Sequence, residues 1–302
     1  MKILIADPTD AAARDRFKEN NFDFDYIPDI TSDDLLSKVD TYEGLLVRSR
    51  TKVTQSVIGK ATRLKVVARI GSGFDNIDIA SCKKKKITVL NAPDANSIAV
   101  AELTVCLMIA ALRQIPRAIE SMRKGEWLKN ELWGHELGSQ TIGIIGYGYV
   151  GTKVDRLVSA FGAKTLIYSR SYQTATLPEI FEKSDIVSVH LALTPETKGL
   201  VGRKLFELMK PSAIFINISR GQIIDEEALF SILEGKKIAY GILDVFPHEP
   251  LAPDSRWRKL SNVILTPHIG AATREALAKA SMTVVEDTMA VLRGDKPKYK
   301  IV

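Results

Sequence analysis

Short apolar runs alternate with helical patterns from one end of the chain to the other. We interpret the runs as strands because they are rich in β-branched and aliphatic residues; they cover residues 2–6, 44–47, 64–70, 87–90, 142–145, 165–168, 186–190, 213–216, 239–243 and 263–265. Many are apolar at consecutive positions, which is typical of strands covered by helices on both faces of a parallel sheet. The alternation predicts the α/β fold class with doubly wound sheets.

Helical patterns fill the stretches between these strands. Residues 225–233 begin with acidic side chains and are followed by Gly235, an order typical of helix ends. Residues 98–123 have the pattern of a long helical connector, and residues 273–293 that of a C-terminal helix. The length of 302 residues favours about two domains, and we place the second one from near Thr141 onwards.

Composition excludes several classes of protein. Hydrophobic residues make up 45% and charged residues 26% of the chain, which argues against disorder. Two cysteines, Cys82 and Cys106, cannot build a disulfide framework, so we expect a reducing compartment. The most apolar stretch, residues 98–112, contains Glu102 and is shorter than the ~20 residues of a membrane span. With no signal peptide at the N-terminus, these features predict a soluble, cytoplasmic protein.

The net charge of +6, from 42 Lys and Arg against 36 Asp and Glu, allows for an anionic partner. The one dense basic run, residues 83–86, follows a predicted helix, where cations suit the helix dipole. No aromatic or zinc-ligand spacing accompanies it, so small anionic ligands are favoured and nucleic acid is a minor alternative. His135, His190 and His248 lack companions at metal-ligand spacing, and we interpret them as surface, packing or loop residues.

A glycine-rich turn lies between the strand at 142–145 and a helical pattern, and a second strand follows at the spacing of a βαβ unit. Gly146 permits a tight turn, Gly148 allows a pyrophosphate to approach the backbone, and Gly151 allows helix and strand to pack closely. The helix N-terminus would supply N–H groups for the phosphates. A turn without a ligand is the alternative. The predicted dinucleotide-binding residues are Gly146, Gly148, Tyr149, Val150 and Gly151.

Ser169 and Arg170 follow the second strand of this unit, where a site for NAD has an acidic residue. No carboxylate here repels a 2′-phosphate, and Arg170 could pair with one. We therefore predict NADP as the preferred cofactor. The alternative is that Arg170 stacks on adenine or faces water while NAD binds.

Three more segments carry polar side chains just after predicted strands, the position of ligand sites in doubly wound sheets. Arg220 lies in the first, Asp244 and Glu249 lie in the second, and His268 lies in the third.

With these segments, the chain resembles the NAD(P)-dependent D-2-hydroxyacid dehydrogenase family, and its phosphoglycerate dehydrogenase branch in particular. The resemblance extends in family order through residues 47–49, 71–78, 91–93, 101–104, the glycine turn and the three polar segments. It implies two doubly wound Rossmann- or flavodoxin-like domains with the active site in the cleft between them. Residues 1–98 with 271–302 would form the substrate-binding domain and residues 99–270 the dinucleotide-binding domain. It also implies a homodimer built on the latter, to which residues 98–112 contribute.

The same resemblance implies that Arg220, Glu249 and His268 are the catalytic residues. His268 would take the hydroxyl proton of a 2-hydroxy acid, or return it in reverse, since imidazoles titrate near neutral pH. Glu249 would fix its tautomer, and Arg220 would bind the substrate carboxylate in a bidentate manner. Hydride transfer would belong to the cofactor.

Further residues are implied for substrate and cofactor. Backbone N–H groups near Ser72 and Gly73 would bind the substrate carboxylate, and Asp244 would contact the nicotinamide carboxamide or ribose. Arg48 and Arg69 suit a second anionic group, with structural ion pairs as the alternative. Two more residues complete the predicted cofactor set: Ser219 and Gly270.

The substrate is left between two classes. Arg48, Arg50, Lys52 and Arg69 offer cations for a phosphate and favour 3-phosphoglycerate and 3-phosphohydroxypyruvate, the substrates of serine biosynthesis. Position 170 instead resembles the NADP-dependent glyoxylate and hydroxypyruvate reductases. A remote alternative is a non-enzymatic, dinucleotide-sensing corepressor. Because the chain ends at Val302, we expect no C-terminal regulatory domain and no serine feedback through one.

Overall fold

The computed structural model describes residues 1–302, which divide into two compact units. The first unit comprises Met1–Asn96 and Ala271–Val302, and the second comprises Ser97–Gly270. The strands are β1 (Lys2–Ile5), β2 (Asp23–Tyr26), β3 (Gly44–Val47), β4 (Val66–Arg69), β5 (Thr88–Asn91), β6 (Thr141–Ile145), β7 (Lys164–Tyr168), β8 (Ile186–Val189), β9 (Ile214–Asn217), β10 (Tyr240–Leu243) and β11 (Val263–Leu265).

The α-helices are α1 (Ala11–Glu19), α2 (Ser32–Lys38), α3 (Gln55–Lys60), α4 (Ile79–Lys84), α5 (Ser97–Leu112), α6 (Ile115–Arg123), α7 (Tyr149–Ala160), α8 (Leu177–Lys183), α9 (Arg203–Phe206), α10 (Glu226–Glu234) and α11 (Arg274–Arg293). Short 3₁₀ turns lie at Val39–Thr41, Leu137–Ser139, Gly221–Ile223 and Arg256–Lys259.

The first unit contains a parallel five-stranded sheet in the order β2-β1-β3-β4-β5. β1 and β3 are almost wholly buried because helices cover both faces of the sheet, as their continuous apolar sequence predicts. α11 packs against β4, β5 and α1, so the end of the chain completes this unit. The strand order reverses between β1 and β3, which brings the loops after these two strands next to each other.

The second unit contains a parallel six-stranded sheet in the order β11-β10-β9-β8-β6-β7. Its order reverses between β6 and β8, where Ile145 pairs with Val189. A ligand site of a doubly wound sheet lies at this reversal, at the carboxyl ends of the strands. The doubly wound α/β architecture predicted from the sequence is confirmed.

Two local predictions differ from the structure. Strand β2 was not predicted, because its sequence Asp-Phe-Asp-Tyr places acidic residues on an edge strand rather than a continuous apolar run. The predicted connector at 98–123 is broken at Gln114, whose φ of +51° is left-handed and ends the helical hydrogen-bond pattern. The axes of α5 and α6 therefore meet at a bend of 65°. No single helix combines the length and apolar character of a membrane span; this bent pair meets those two criteria only when counted together.

Candidate active site

Three adjacent strands of the second unit bring the predicted catalytic residues to one sheet edge. Arg220 follows β9, Glu249 follows β10 and His268 follows β11. These strands are neighbours and run in parallel, so the loops after them leave the sheet at the same edge.

His268 and Glu249 form a direct hydrogen-bonded pair. Nδ1 of His268 lies 2.7 Å from Oε2 of Glu249, and the other carboxylate oxygen accepts the N–H of Phe246 at 2.9 Å. Both side chains are partly exposed, so a small molecule can reach them. Nε2 of His268 carries no hydrogen bond and is the nitrogen available to a ligand.

The state of Glu249 fixes the tautomer of its partner. Burial alone would raise the pKa of Glu249. The hydrogen bonds from His268 and Phe246 and the positive charge of Arg220 together lower it by more than burial raises it, so the net pKa is below the ordinary value. The carboxylate is therefore ionised and can only accept, so Nδ1 of His268 carries the proton. A neutral ring then presents the lone pair of Nε2 outward, as a proton acceptor must.

The loop that carries His268 is held from beneath by Asp244, which is fully buried. Oδ1 accepts the hydroxyl of Thr266 at 2.6 Å and the N–H of Ile269 at 2.8 Å, and Oδ2 accepts the N–H of Gly270 at 2.8 Å. The backbone of His268 has a φ of +54°, a left-handed conformation that costs about 1–3 kcal/mol in a residue other than glycine. Hydrogen bonds to the two N–H groups after it stabilise that conformation.

These hydrogen bonds make Asp244 a structural support of the His268 loop, a role that the sequence did not predict. Its carboxylate orients the loop, and its full burial means that no oxygen is presented at the surface. The predicted contact with nicotinamide stays a prediction. Gly270 belongs to the same arrangement, since a Cβ at this position would lie 3.2 Å from Oδ2 of Asp244.

Arg220 is positioned by a hydrogen-bonded turn after β9. The buried Asn217 donates from Nδ2 to the carbonyl of Arg220 at 2.9 Å, and its Oδ1 accepts the N–H and hydroxyl of Ser219. A Cβ on Gly221 would lie 2.1 Å from the carbonyl carbon of Phe246, so this turn touches the backbone of the Glu249 loop. Asn217 was not predicted as a site residue, although its position at a strand end was a usable signal.

The glycine turn after β6 has the shape that a dinucleotide requires. A Cβ on Gly151 would lie 2.0 Å from the carbonyl oxygen of Gly146, and one on Gly146 would lie 2.5 Å from that of His190. A Cβ on Gly148 would meet nothing within 4 Å, so the backbone there is open to a ligand. Helix α7 begins at Tyr149 with no acidic residue in its first turn, and its free N–H groups suit a pyrophosphate. These residues fit a nicotinamide dinucleotide.

The loop after β7 contains the two residues predicted to select NADP. The hydroxyl of Ser169 donates to the carbonyl of Tyr172 at 2.7 Å and accepts its N–H at 3.0 Å, so it shapes the turn. Arg170 is largely exposed, and its guanidinium lies 3.7 Å from the carboxylate of Glu196. The ring of Tyr172 stacks on Tyr147 of the glycine turn with centroids 5.0 Å apart. The predicted contact of Arg170 with a 2′-phosphate stays a prediction.

The predicted substrate residues lie in the first unit, on the loops after β3 and β4. Ser72 follows Gly71, which has a φ of +138°, a backbone conformation that residues other than glycine rarely adopt. The carbonyl of Ser72 accepts a hydrogen bond from Nδ2 of Asn91 at 2.7 Å. The guanidinium of Arg69 lies over Gly71, since its Nη1 would be 1.6 Å from a Cβ there. Gly73 completes this turn.

Arg50, one of the cations counted for a phosphate, is committed to the protein itself. Its Nε donates to Asp7 at 3.0 Å, and its two terminal nitrogens donate to the carbonyls of Ala6, Pro28 and Ile30. It is therefore a structural residue. Of the other cations counted for a phosphate, Arg69 donates from Nη1 to the carbonyl of Ile70 at 3.1 Å, and the roles predicted for Arg48, Lys52 and Arg69 stay predictions.

His190, which we predicted to be a surface, packing or loop residue, lies outside this catalytic group. His190 follows β8, its Nε2 lies 2.9 Å from the hydroxyl of Ser188, and burial lowers its pKa to about 4. It is a neutral packing residue, as one of the readings of the sequence had it.

Comparison with known proteins assigns the family. The model for the D-isomer specific 2-hydroxyacid dehydrogenase, NAD binding domain, matches residues 105–270, more than half of the chain. The chain belongs to the D-isomer specific 2-hydroxyacid dehydrogenase family. The resemblance found in the sequence motifs is confirmed.

Relatives within this family include two kinds of enzyme. The D-3-phosphoglycerate dehydrogenase of Archaeoglobus fulgidus is 38% identical over 97% of this chain and 58% of its own length. The hydroxypyruvate reductase of Thermotoga maritima is 41% identical over 85% of this chain and 87% of its own length. The chain thus spans little more than half the length of the phosphoglycerate dehydrogenases that it matches.

Solved structures of the family have the same fold. NAD⁺-bound 3-phosphoglycerate dehydrogenase of Entamoeba histolytica superposes with a TM-score of 0.86 at 30% identity, covering 100% of this chain and 98% of that one. An acyclic imino acid reductase in complex with NADPH and D-Arg superposes with a TM-score of 0.91 at 31% identity, covering 100% of both chains. One of these two similar structures thus holds NAD⁺ and the other holds NADPH.

Proposed function

We propose that the protein is an NAD(P)-dependent oxidoreductase that interconverts a D-2-hydroxy acid and its 2-oxo acid. The observation that carries this proposal is the His268–Glu249 pair, with Nδ1 and Oε2 at 2.7 Å, in the unit that also carries the glycine turn. Such a pair gives a proton acceptor with a fixed tautomer beside a cofactor site, as oxidation of an alcohol requires.

The residues of this chain would divide the reaction as follows. Nε2 of His268 takes the proton from the C2 hydroxyl during oxidation and returns it to the carbonyl oxygen during reduction. The ionised Glu249 stabilises the imidazolium that forms. Arg220 binds the carboxylate, and its charge polarises the neighbouring carbonyl. When bound, the nicotinamide accepts or supplies the hydride at C2.

For the substrate, we propose 3-phosphoglycerate and 3-phosphohydroxypyruvate. Similarity to phosphoglycerate dehydrogenases along 97% of this chain supports this choice. So does Arg48, whose guanidinium forms no hydrogen bond or ion pair in the structure. A hydroxypyruvate reductase is the second candidate, favoured by the similarity to the Thermotoga maritima enzyme and by the engagement of Arg50 in structural contacts.

For the cofactor, we propose a preference for NADP. The support is the exposed guanidinium of Arg170 after β7 and the absence of an acidic residue at the adjoining positions 169 and 171. Glu196, 3.7 Å from Arg170, partly offsets that charge and leaves room for NAD as the alternative.

We also propose a homodimer formed through the second unit. Helix α6 exposes Ile115, Ile119 and Met122 on one face, and Trp127 and Trp133 are largely exposed in the segment after it. A monomer seldom leaves such a group of large apolar side chains in water. Helix α5, which we also predicted to contribute to the interface, buries most of its residues within the unit and packs against α7, but exposes Ile98 and Cys106.

One assay matrix tests the proposed function. It crosses NADH and NADPH with phosphohydroxypyruvate, hydroxypyruvate, glyoxylate and pyruvate, and follows the nicotinamide absorbance. We expect the highest kcat/KM with phosphohydroxypyruvate, and higher values with NADPH than with NADH. A higher kcat/KM for hydroxypyruvate than for phosphohydroxypyruvate selects the second candidate. A tenfold preference for NADH refutes the proposed preference for NADP. No turnover with any of the four 2-oxo acids refutes the proposed oxidoreductase activity.

A further inference from the structure

Arg48, the first residue after β3, has a guanidinium without a hydrogen bond or ion pair, yet its backbone is held from two sides. Its neighbour Arg50 differs, because its guanidinium is fully engaged with the protein. Arg50 therefore stabilises the fold, whereas the guanidinium of Arg48 is available to a ligand.

The N–H side of this loop is held by Asp7, a fully buried residue just after β1. Its Oδ2 accepts the N–H of Arg48 at 2.6 Å and that of Thr51 at 3.4 Å. Its Oδ1 accepts Nε of Arg50 at 3.0 Å. Because Arg50 neutralises this buried carboxylate, Asp7 can orient the loop without claiming the charge of Arg48.

The carbonyl side of the same loop is held by Asn76, on the loop after β4. Its Nδ2 donates to the carbonyls of Arg48 and Thr51, each at 2.6 Å. The carbonyl of Asn76 in turn accepts the N–H of Val53 at 2.8 Å, which joins the two loops. Arg48 is thus fixed at its own N–H and its own carbonyl, by side chains from two different loops.

We infer that Asp7 and Asn76 are positioning residues that hold Arg48 ready for the second anionic group of a substrate that carries both a carboxylate and a phosphate. The inference rests on the proposed function, in which Arg48 binds that group. Fixing the backbone at both ends of one residue removes ordering cost that binding would otherwise carry. The benefit applies only to a substrate that contacts Arg48, so it appears as selectivity for phosphohydroxypyruvate over the singly charged hydroxypyruvate.

The inference makes a specific kinetic statement. Asn76→Ala removes two hydrogen bonds to the loop and should raise KM for phosphohydroxypyruvate about tenfold. KM for hydroxypyruvate should stay within about twofold, because the side chain of Asn76 donates only to carbonyls of the loop after β3, whereas the carbonyl of Ser72 is held by Asn91. The value of kcat with either substrate should also stay within about twofold, because His268 and Glu249 lie on other loops. Asp7→Asn should have the same direction of effect, and its melting temperature is measured first because the residue is buried.

The test compares Asn76→Ala, Arg48→Gln and a matched control, Asn20→Ala, with both substrates. Asn20, the residue just after α1, also donates from Nδ2 to a backbone carbonyl of the first unit, that of Arg16 at 2.9 Å, and its Oδ1 accepts from Arg293 at 2.8 Å. We expect Arg48→Gln and Asn76→Ala to lose selectivity for the phosphorylated substrate and Asn20→Ala to retain it.

The outcomes separate the inference from the function on which it rests. If Arg48→Gln loses selectivity and Asn76→Ala keeps it, the positioning role is wrong while the substrate assignment stands. If Asn76→Ala raises KM for both substrates equally, its role is merely structural and the inference is overturned. If Arg48→Gln leaves KM for phosphohydroxypyruvate unchanged, the assignment of Arg48 fails and the inference fails with it.

Discussion

Nδ1 of His268 lies 2.7 Å from Oε2 of Glu249, while the second oxygen of that carboxylate accepts the N–H of Phe246. The carboxylate is thereby fixed in rotation, and so is the imidazole that it holds. Nε2 is left as the one ring nitrogen for a substrate, in a tautomer set by the protein.

Replacement of Glu249 tests whether this charge matters for turnover. Glu249→Gln keeps the shape of the side chain but removes the charge that stabilises the imidazolium, so kcat should fall roughly 10²-fold. Initial rates at saturating substrate measure the loss. Glu182→Gln, on an exposed position of α8, should leave kcat unchanged. Equal kcat for Glu249→Gln and the wild type would show that the pair has no part in catalysis.

Replacement of Asp244 tests the support of the His268 loop. In Asp244→Asn one oxygen becomes an NH₂ group, which cannot accept a hydrogen bond, so the variant loses the bond from the N–H of either Ile269 or Gly270, which donate to different oxygens. We expect a kcat about 10 to 100 times lower and a lower melting temperature.

The matched control for Asp244 is Asp185→Asn. Asp185 accepts a backbone N–H, that of Thr141, at 2.8 Å and the ammonium of Lys210 at 2.8 Å, but at the opposite end of the sheet strands. It should lower the melting temperature and leave kcat intact. A similar loss of kcat in both variants would assign the effect of Asp244 to general stability.

Replacement of Arg170 tests the selection of NADP. Arg170→Ala should lower kcat/KM for NADPH about tenfold and change that for NADH little, because only the former carries a 2′-phosphate. Arg203→Ala, an exposed arginine at the start of α9, is the control for a general loss of positive charge. If both cofactors respond equally to Arg170→Ala, the residue does not read the 2′ position.

The partly buried His190, whose pKa is lowered by desolvation, predicts a pH dependence of stability. Its pKa of about 4 in the folded state lies below the ordinary 6.5, so the unfolded chain binds more protons between these values. The free energy of unfolding should therefore fall as the pH drops from 6.5 towards 4, by up to roughly 3 kcal/mol from this residue. Urea unfolding of the wild type and of His190→Gln at several pH values measures it. A wild-type slope that persists in the variant would assign the effect to other groups.

Much of the fold follows from the sequence because buried parallel strands have continuous apolar sequences. β6, with its sequence Thr-Ile-Gly-Ile-Ile, is recognisable in this way, and its glycine turn follows directly. β2 has no such pattern, since an edge strand can alternate acidic and aromatic residues without losing its hydrogen bonds. The break at Gln114 did carry a sequence signal that the prediction of one long connector did not use: Pro116 lies in the first turn of α6, where proline is tolerated, whereas in a helix interior it breaks the hydrogen-bond pattern.

The site was predictable where its residues belong to motifs, and not where their role depends on tertiary contacts. Asp244 was assigned to the cofactor from its position, but only the structure places its carboxylate against Thr266 and the two N–H groups after His268. Arg50 and Arg48 are alike in sequence and differ in the structure, since only the former reaches Asp7. The homodimer and the cytoplasmic location stay predictions.

The most direct test of the central claim is a single-turnover measurement with His268→Ala. The enzyme is in excess of NADPH, and phosphohydroxypyruvate is saturating. We expect a rate of nicotinamide oxidation roughly 10² to 10⁴ times below that of the wild type, because the carbonyl oxygen then lacks its proton donor. Binding of NADPH, followed by fluorescence titration, should be unchanged. Wild-type turnover in His268→Ala would remove this residue from the mechanism and contradict the account.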